Sequence, residues 1–316
     1  MEKLVEIKGL KKYYSSGIVR KVCVKAVDGV SLDIMRGETL ALVGESGCGK
    51  TTLGRSLMRL TKPTEGEIYY NGQNITGIGG ERLRSLRKKM QIIFQFAEGS
   101  LNKRINCFNL LAEPFRIHGV LENGGIGQVK RLIEMVNLTP DLLIRFPHQL
   151  SGGQLQKICI ARAIALNPEF IVADEPAASL DFSVQAQVLE LLQKLQQECG
   201  ISYLFITHNL QVVKLIADRV AVMYLGKLVE IGRTGNIFSC PAHPYTRALL
   251  SSIPSLDADI TVKNSIFGEL PDAINPPQGC RFHPRCPYAM NICHLEEPLM
   301  RETGSGHIVA CHLFRE

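Results

Sequence analysis

The segment LALVGESGCGKTT places Gly44, Gly49, Lys50 and Thr51 in the order G-x-x-x-x-G-K-T, after an apolar run and before a helical pattern. That is the spacing of a phosphate-binding loop. Gly44, Gly47 and Gly49 allow a tight backbone turn that aims N–H groups at phosphate oxygens. Glu45, Ser46, Cys48 and Thr52 complete the run of nucleotide-binding candidates. The helix that starts here adds the partial positive charge of its N-terminus. Lys50 can reach β- and γ-phosphates, and Thr51 offers a hydroxyl to Mg²⁺. A glycine-rich turn without a ligand would match the same eight positions; the strand before and the helix after favour the phosphate site.

Three further groups could carry chemistry. FIVADEP ends a buried apolar strand in Asp174 and Glu175, and unpaired charge there is costly. Next to a phosphate loop, Asp174 would hold Mg²⁺ through water and Glu175 would polarise an attacking water. HQLSGGQLQK opens a helix at Ser151-Gly152-Gly153-Gln154. Small residues at a helix start make a second phosphate site, with Ser151 as cap and donor. Cys280-x5-Cys286-x6-Cys293-x17-Cys311 groups four of the ten cysteines, with His283, His294 and His312 close by. Three readings compete for them: reduced thiols in a loop-rich tail, a structural Zn²⁺, or a [4Fe–4S] cluster. Zinc often takes tight C-x2-C pairs, which are absent. Four thiolates on longer loops suit the larger cluster, and the Cys-Pro at 286–287 is similar to cluster-binding runs.

The elements that must position these groups follow from periodicity. Short β-like runs occur at 5–8, 31–34, 39–43, 67–70, 90–94, 170–173, 203–207, 220–224 and 227–231. Helical patterns follow Lys50 and cover 151–166 and 184–199. Apolar strands alternating with helices predict an α/β fold with a largely parallel sheet. RGE at 36–38 and NGQ at 71–73 read as turns of antiparallel hairpins at the front of the domain. From about 97 to 150 strand signals give way to helical ones, as in an inserted helical subdomain. After about 231 prolines cluster, from Pro241 to Pro277, and periodicity fades. The expected division is a nucleotide-binding domain over 1–232 and a loop-rich extension over 233–316.

Composition narrows the function. The 316 residues are 45% hydrophobic and 21% charged with net charge +6, an ordinary globular balance. That mild basicity does not demand nucleic acid. No stretch nears the ~18 apolar residues of a membrane span, and MEKLVEIKGL is too polar for a signal peptide. A cytosolic chain with reduced or metal-bound thiols is expected. Cys23, Cys48, Cys107, Cys159, Cys199 and Cys240 read as small apolar packing.

With HQLSGGQLQK in place, the chain resembles the ATP-binding subunit of an ATP-binding-cassette (ABC) transporter. Further residues fit that family in order. Tyr14 stands where the family stacks an aromatic ring on adenine, with Tyr13 as a competing position. Gln95 in IIFQ matches the loop glutamine that senses Mg²⁺ and the membrane subunits. ASLD (178–181) matches the dimer-contact loop, with Asp181 as its acid, and His208 matches the switch histidine at the γ-phosphate. The resemblance implies a P-loop core with an antiparallel β subdomain, an inserted helical subdomain and head-to-tail dimers. ATP with Mg²⁺ would lie between one chain's phosphate loop and the partner's Ser151-type signature. It thus implies a catalytic set of Glu175, His208 and Gln95, and a Mg²⁺ set of Thr51, Gln95 and Asp174.

RFPHQLSGGQ and HPYTRALLSSIP (243–254) resemble the dipeptide, oligopeptide and nickel importer branch. This implies a heterodimeric ATPase motor at the cytoplasmic face of the membrane. Its partners would be a second ABC ATPase subunit, two permeases and an extracytoplasmic binding protein, with no nucleic acid. PYTRALL reads as a short amphipathic helix. The cysteines of this extension are associated with an iron–sulfur cluster in similar ATPases. Phe96-Ala97, Ala177, Asn209 and Leu155 depart from the family's usual residues. A nickel or metal-chelate importer is the alternative substrate class. A soluble ABC ATPase acting on nucleic acid or ribosomes is the alternative function; the single cassette, with no heptad array between Lys50 and Asp174, argues against it.

Overall fold

The computed structural model describes residues 2–16, 22–252, 271–304 and 306–315. Ile253 and Pro254, which end the HPYTRALLSSIP segment, lie outside them. The chain divides into two units, Met1–Thr76 with Ile206–Glu316, and Gly77–Phe205.

The first unit opens with β1 (Lys3–Ser16) and β2 (Val22–Met35), a long antiparallel pair. Val5, Ile7 and Leu10 on β1 and Val27, Val30, Leu32 and Ile34 on β2 supply a buried face. β3 (Thr39–Val43) is buried at every position, the pattern of a strand covered on both faces. The RGE turn therefore joins strands of two different sheets and not the expected hairpin. Gly37 turns the chain at φ +74°, and Met35 N–H donates to Glu38 Oε2 at 2.6 Å. After α1 (Lys50–Leu57), β4 (Glu65–Tyr70) and β5 (Gln73–Asn74) form the expected hairpin around Asn71-Gly72. The sheet order is β2-β1-β4-β5.

The second unit contains α2 (Gly80–Lys89), β6 (Met90–Ile93), α3 (Ala97–Ser100), α4 (Cys107–Ile117), α5 (Ile126–Met135), α6 (Gly152–Ile164), β7 (Phe170–Asp174) and α7 (Phe182–Cys199). β6 and β7 pair in parallel. α4 and α5 bury Cys107, Leu110 and Leu111, and Val129, Leu132 and Ile133. These are the i, i+3, i+4 stripes of amphipathic helices. Asn106 caps α4 by accepting from Asn109 N at 3.0 Å. β8 (Ser202–Thr207) carries the chain back to the first unit.

There follow α8 (Leu210–Ile216), β9 (Arg219–Tyr224), β10 (Lys227–Arg233), α9 (Thr234–Ser239), α10 (Pro244–Ser251), α11 (Asn291–Leu295), β11 (Met300–Gly304) and β12 (His307–Ala310). β9 lies parallel to β3, and β10, β12 and β11 extend that edge antiparallel. Among the described residues, the tail beyond 231, where periodicity fades, thus contributes three α-helices and a hairpin. Pro244 opens α10. The tail also shares a core, because Tyr245 and Phe282 pack with Val43, Val222, Tyr224 and Ile237. Glu230, fully buried on β10, accepts from Ala242 N (2.7 Å) and His243 N (2.9 Å) and contacts His307 Nε2 at 2.6 Å.

Candidate functional site

In the first unit the phosphate loop joins β3 to α1. Close backbone approach dictates two of its glycines. A Cβ on Gly44 would lie 2.1 Å from Met223 O, and one on Gly49, at φ +108°, 2.0 Å from Ala26 O. Gly47 needs its φ of +79° but has open space. Lys50 Nζ donates to Gly44 O (2.7 Å) and Glu45 O (2.9 Å), so the ammonium sits at the crest of the loop. Cys48 lies 3.7 Å from that nitrogen, and burial pushes its thiol above the usual range. It is a packing residue, as its chemistry predicts. Ser46 and Gly47 are exposed, and Thr51 and Thr52 open α1 half-buried.

Tyr14 and Tyr13 stand on β1 and differ in commitment. The Tyr13 hydroxyl donates to Asp28 Oδ1. Tyr14 is 41% exposed, with Lys12 Nζ 4.8 Å from its ring centre. His208 is exposed in the turn between β8 and α8. Asn209, next to it, caps α8 by accepting from Gln211 N at 3.0 Å. The usual acid is replaced there by a residue that makes the same cap.

In the second unit Asp174 ends β7 and is 2% exposed. Glu175 follows at φ +47°, a backbone region that non-glycine residues seldom occupy and that concentrates at functional positions. Gln95 Nε2 donates to Glu175 Oε2 at 2.9 Å. The structure therefore brings together two residues eighty positions apart that the family resemblance places in one catalytic set. Ser151 is the N-cap of α6, and its hydroxyl accepts from Gln154 N (3.3 Å) while Gln154 Oε1 accepts from Ser151 N (3.1 Å). This is a reciprocal capping box. Ser151 and Gly152 are exposed, and a Cβ on Gly153 would meet Val184 at 2.5 Å. Leu155 and Ala177 are buried, which accounts for their apolar identity. Asp181 caps α7 by its backbone and is exposed, and Phe96 is 64% exposed ahead of α3.

Cys280, Cys286, Cys293 and Cys311 all lie in the first unit. Burial pushes Cys280 up to about 12, and charge on Cys293, Cys311 and Cys286 adds to it. Burial likewise pushes Cys311 up to about 11, with Cys286 and Cys293 contributing. Cys280 N–H donates to Cys293 O at 2.8 Å, which makes these two positions neighbours. Among the described residues no group of three or more His, Cys, Asp or Glu side chains is set to hold a metal ion.

Several polar residues on the loop's periphery were not legible in the sequence. Tyr245 Oη accepts from Glu45 N at 2.9 Å, Arg285 Nη1 lies 3.0 Å from Glu45 Oε2, and Arg281 pairs with Asp28. No local motif connects residues some two hundred positions apart.

A phosphate loop at the end of a buried parallel strand, an antiparallel sheet beside it in sequence and a serine-capped LSGGQ helix define an ATP-binding cassette. Residues 27–178 match the ABC transporter family, and residues 229–293 match the oligopeptide/dipeptide transporter C-terminal region. The chain is 49% identical to the putative oligopeptide transport ATP-binding protein YkfD of Bacillus subtilis, over 99% of its own length and 96% of that protein. It is 48% identical to the dipeptide transport ATP-binding protein DppF of Haemophilus influenzae, over 96% of this chain and 94% of that one. Among solved structures, the cassette MJ0796, a post-hydrolysis dimer bound to ADP and Pi, superposes with TM-score 0.66 at 29% identity. That match covers 73% of this chain and 98% of the other. cbiO1 of Clostridium perfringens superposes equally well, at 26% identity, over 76% and 92%. The chain belongs to the ABC transporter family, as an ATP-hydrolysing subunit of the group that carries the oligopeptide/dipeptide transporter C-terminal region. Among the described residues no helix is long and apolar enough to cross a membrane.

Proposed function

We propose that this chain is the motor subunit of an importer of dipeptides or oligopeptides. One observation carries the cargo class: the likeness to peptide-transport ATP-binding proteins runs nearly end to end, extension included. In this reading residues 1–232 form the cassette and 233–316 the extension. The chain works at the cytoplasmic face of the membrane with a second ATPase subunit, two permeases and an extracytoplasmic binding protein. The exposed Phe96 lies on the segment that would meet a permease.

Tyr14 is the adenine platform, because the Tyr13 hydroxyl is already committed to Asp28. The loop from Gly44 to Thr52 holds the phosphates of ATP, with Lys50 as the cation. Thr51 and Gln95, and Asp174 through water, would hold Mg²⁺, which would offset the charge of the phosphates. Glu175 orients and deprotonates the attacking water, and His208 holds the γ-phosphate side. Ser151–Gln154 face the partner's nucleotide and Asp181 belongs to the dimer-contact loop, which makes turnover depend on dimer closure.

The four cysteines of the extension are assigned to a [4Fe–4S] cluster, with Zn²⁺ as the alternative. Four thiols are the right number and type of donor for such a cluster, although among the described residues no three of them stand as a metal site. Anaerobically purified protein should be brown, with broad absorbance near ~400 nm; a colourless protein holding one zinc would replace the cluster by the metal.

Cargo is decided by reconstituting the complete transporter in liposomes with its binding protein. Uptake of labelled di- or oligopeptides that drives ATP hydrolysis supports the proposal. Uptake of Ni²⁺ without peptide uptake would move the chain to the metal-importer class.

A further inference from the structure

Glu45, the second residue of the phosphate loop, has all of its polar groups engaged. Its carbonyl accepts from Lys50 Nζ at 2.9 Å. Its N–H is donated to Tyr245 Oη at 2.9 Å, and its two carboxylate oxygens lie 3.1 and 3.0 Å from Arg285 Nη1. The last two partners come from the extension. Both are built in firmly. Tyr245 is fully buried and packs edge-on against Tyr224, with ring centres 4.7 Å apart. The Arg285 side chain is only 8% exposed and also reaches Tyr224 Oη at 3.3 Å.

α10 delivers Tyr245 by local chemistry. His243 Nδ1 caps the helix by accepting from Tyr245 N at 3.0 Å, and Pro244 occupies the first turn. The HPY triplet thus sets cap, helix start and loop contact in three consecutive residues. A second arginine repeats the arrangement on the strand side. Arg281 donates to Leu225 O and pairs with Asp28, the acceptor of the Tyr13 hydroxyl. Arg281 follows Cys280 and Arg285 precedes Cys286, so the thiol-bearing turn and the two grips are one piece of chain.

We propose that Tyr245 and Arg285 are positioning residues for ATP: the extension holds Glu45, and through it the loop and Lys50, in the geometry that receives the phosphates. The proposal rests on the reading of Gly44–Thr52 as the ATP site. Charge-assisted hydrogen bonds to a buried group are the strong ones, and small displacements of a positioning group are costly in rate or affinity. A merely structural role would lower stability and leave nucleotide affinity alone.

The test measures KM for MgATP, kcat and thermal midpoint in the assembled transporter for the parent, Tyr245→Phe, Arg285→Gln and Arg285→Lys. Tyr245→Phe keeps the ring and its packing and removes only the acceptor of the Glu45 N–H. Arg285→Gln should raise KM roughly tenfold, the effect of about one charge-assisted hydrogen bond. Tyr245→Phe should raise it by a few-fold, and Arg285→Lys should recover part of the loss, since a single point charge replaces the planar fork. kcat should fall less than KM rises. An unchanged KM in both Tyr245→Phe and folded Arg285→Gln overturns the proposal. If Arg285→Gln does not fold, Tyr245→Phe and Arg285→Lys decide. A parent complex that neither binds nor hydrolyses ATP would instead refute the ATP-site reading itself.

Discussion

The phosphate loop and the C-terminal extension are adjacent in the first unit but were written into the chain in different ways. The loop's identity lies in a dozen consecutive residues, because turn, helix start and charge must all be local. The extension's structure depends on partners far away. Glu230 holds it by two backbone N–H groups and His307, Tyr224 by two aromatic rings, and Glu45 by Tyr245 and Arg285. Local chemistry can be read from spacing; long-range anchoring cannot.

Variants should separate the two regions. Lys50→Ala should cost about a hundredfold in MgATP affinity, the worth of a buried ammonium facing phosphate. Its thermal midpoint should stay close to the parent's, and equilibrium nucleotide binding with a melting curve checks both. Glu230→Ala should do the reverse. It leaves the Ala242 and His243 N–H groups unpaired in the interior, at about 3 kcal/mol. Denaturant titration should report that loss, with early proteolysis inside the extension as its signature.

Acid should act on the extension first. Burial holds the His243 pKa down at about 3, with Arg247 assisting. The unfolded imidazole takes up a proton below about 6.5, whereas the native one stays neutral until near 3. Stability from this group is therefore present above the unfolded pKa and lost as pH falls, by about 2 kcal/mol at pH 5. His243→Asn keeps an acceptor for Tyr245 N and should flatten the stability slope between pH 6.5 and 5. Smallest is Ser151→Ala in the free chain, where loss of the α6 cap should cost about 1 kcal/mol by chemical denaturation.

Most of the cassette was legible in the sequence. β3, β7, β8 and β9 are short apolar runs and fall within a residue or so of their expected places. β1 and β2 run far beyond the expected segments at 5–8 and 31–34, because Lys11, Lys12, Lys25 and Asp28 interrupt the apolar pattern while the two strands stay paired. RGE looked like a hairpin turn because its turn chemistry is the same whether the next strand stays in the sheet or leaves it. β11 and β12 were missed outright. β11 is exposed along its whole length, and β12 gains its identity from pairing with β10. Within the site, Glu175 and Gln95 were legible as family positions, but their 2.9 Å hydrogen bond was not.

The central claim is that Glu175 activates water at an ATP site that this chain shares with a partner cassette. Glu175→Gln in the assembled transporter tests it most directly, with bound nucleotide and phosphate release followed together. The variant should retain ATP while hydrolysis falls at least about a hundredfold. Hydrolysis at the parent rate would contradict the assignment.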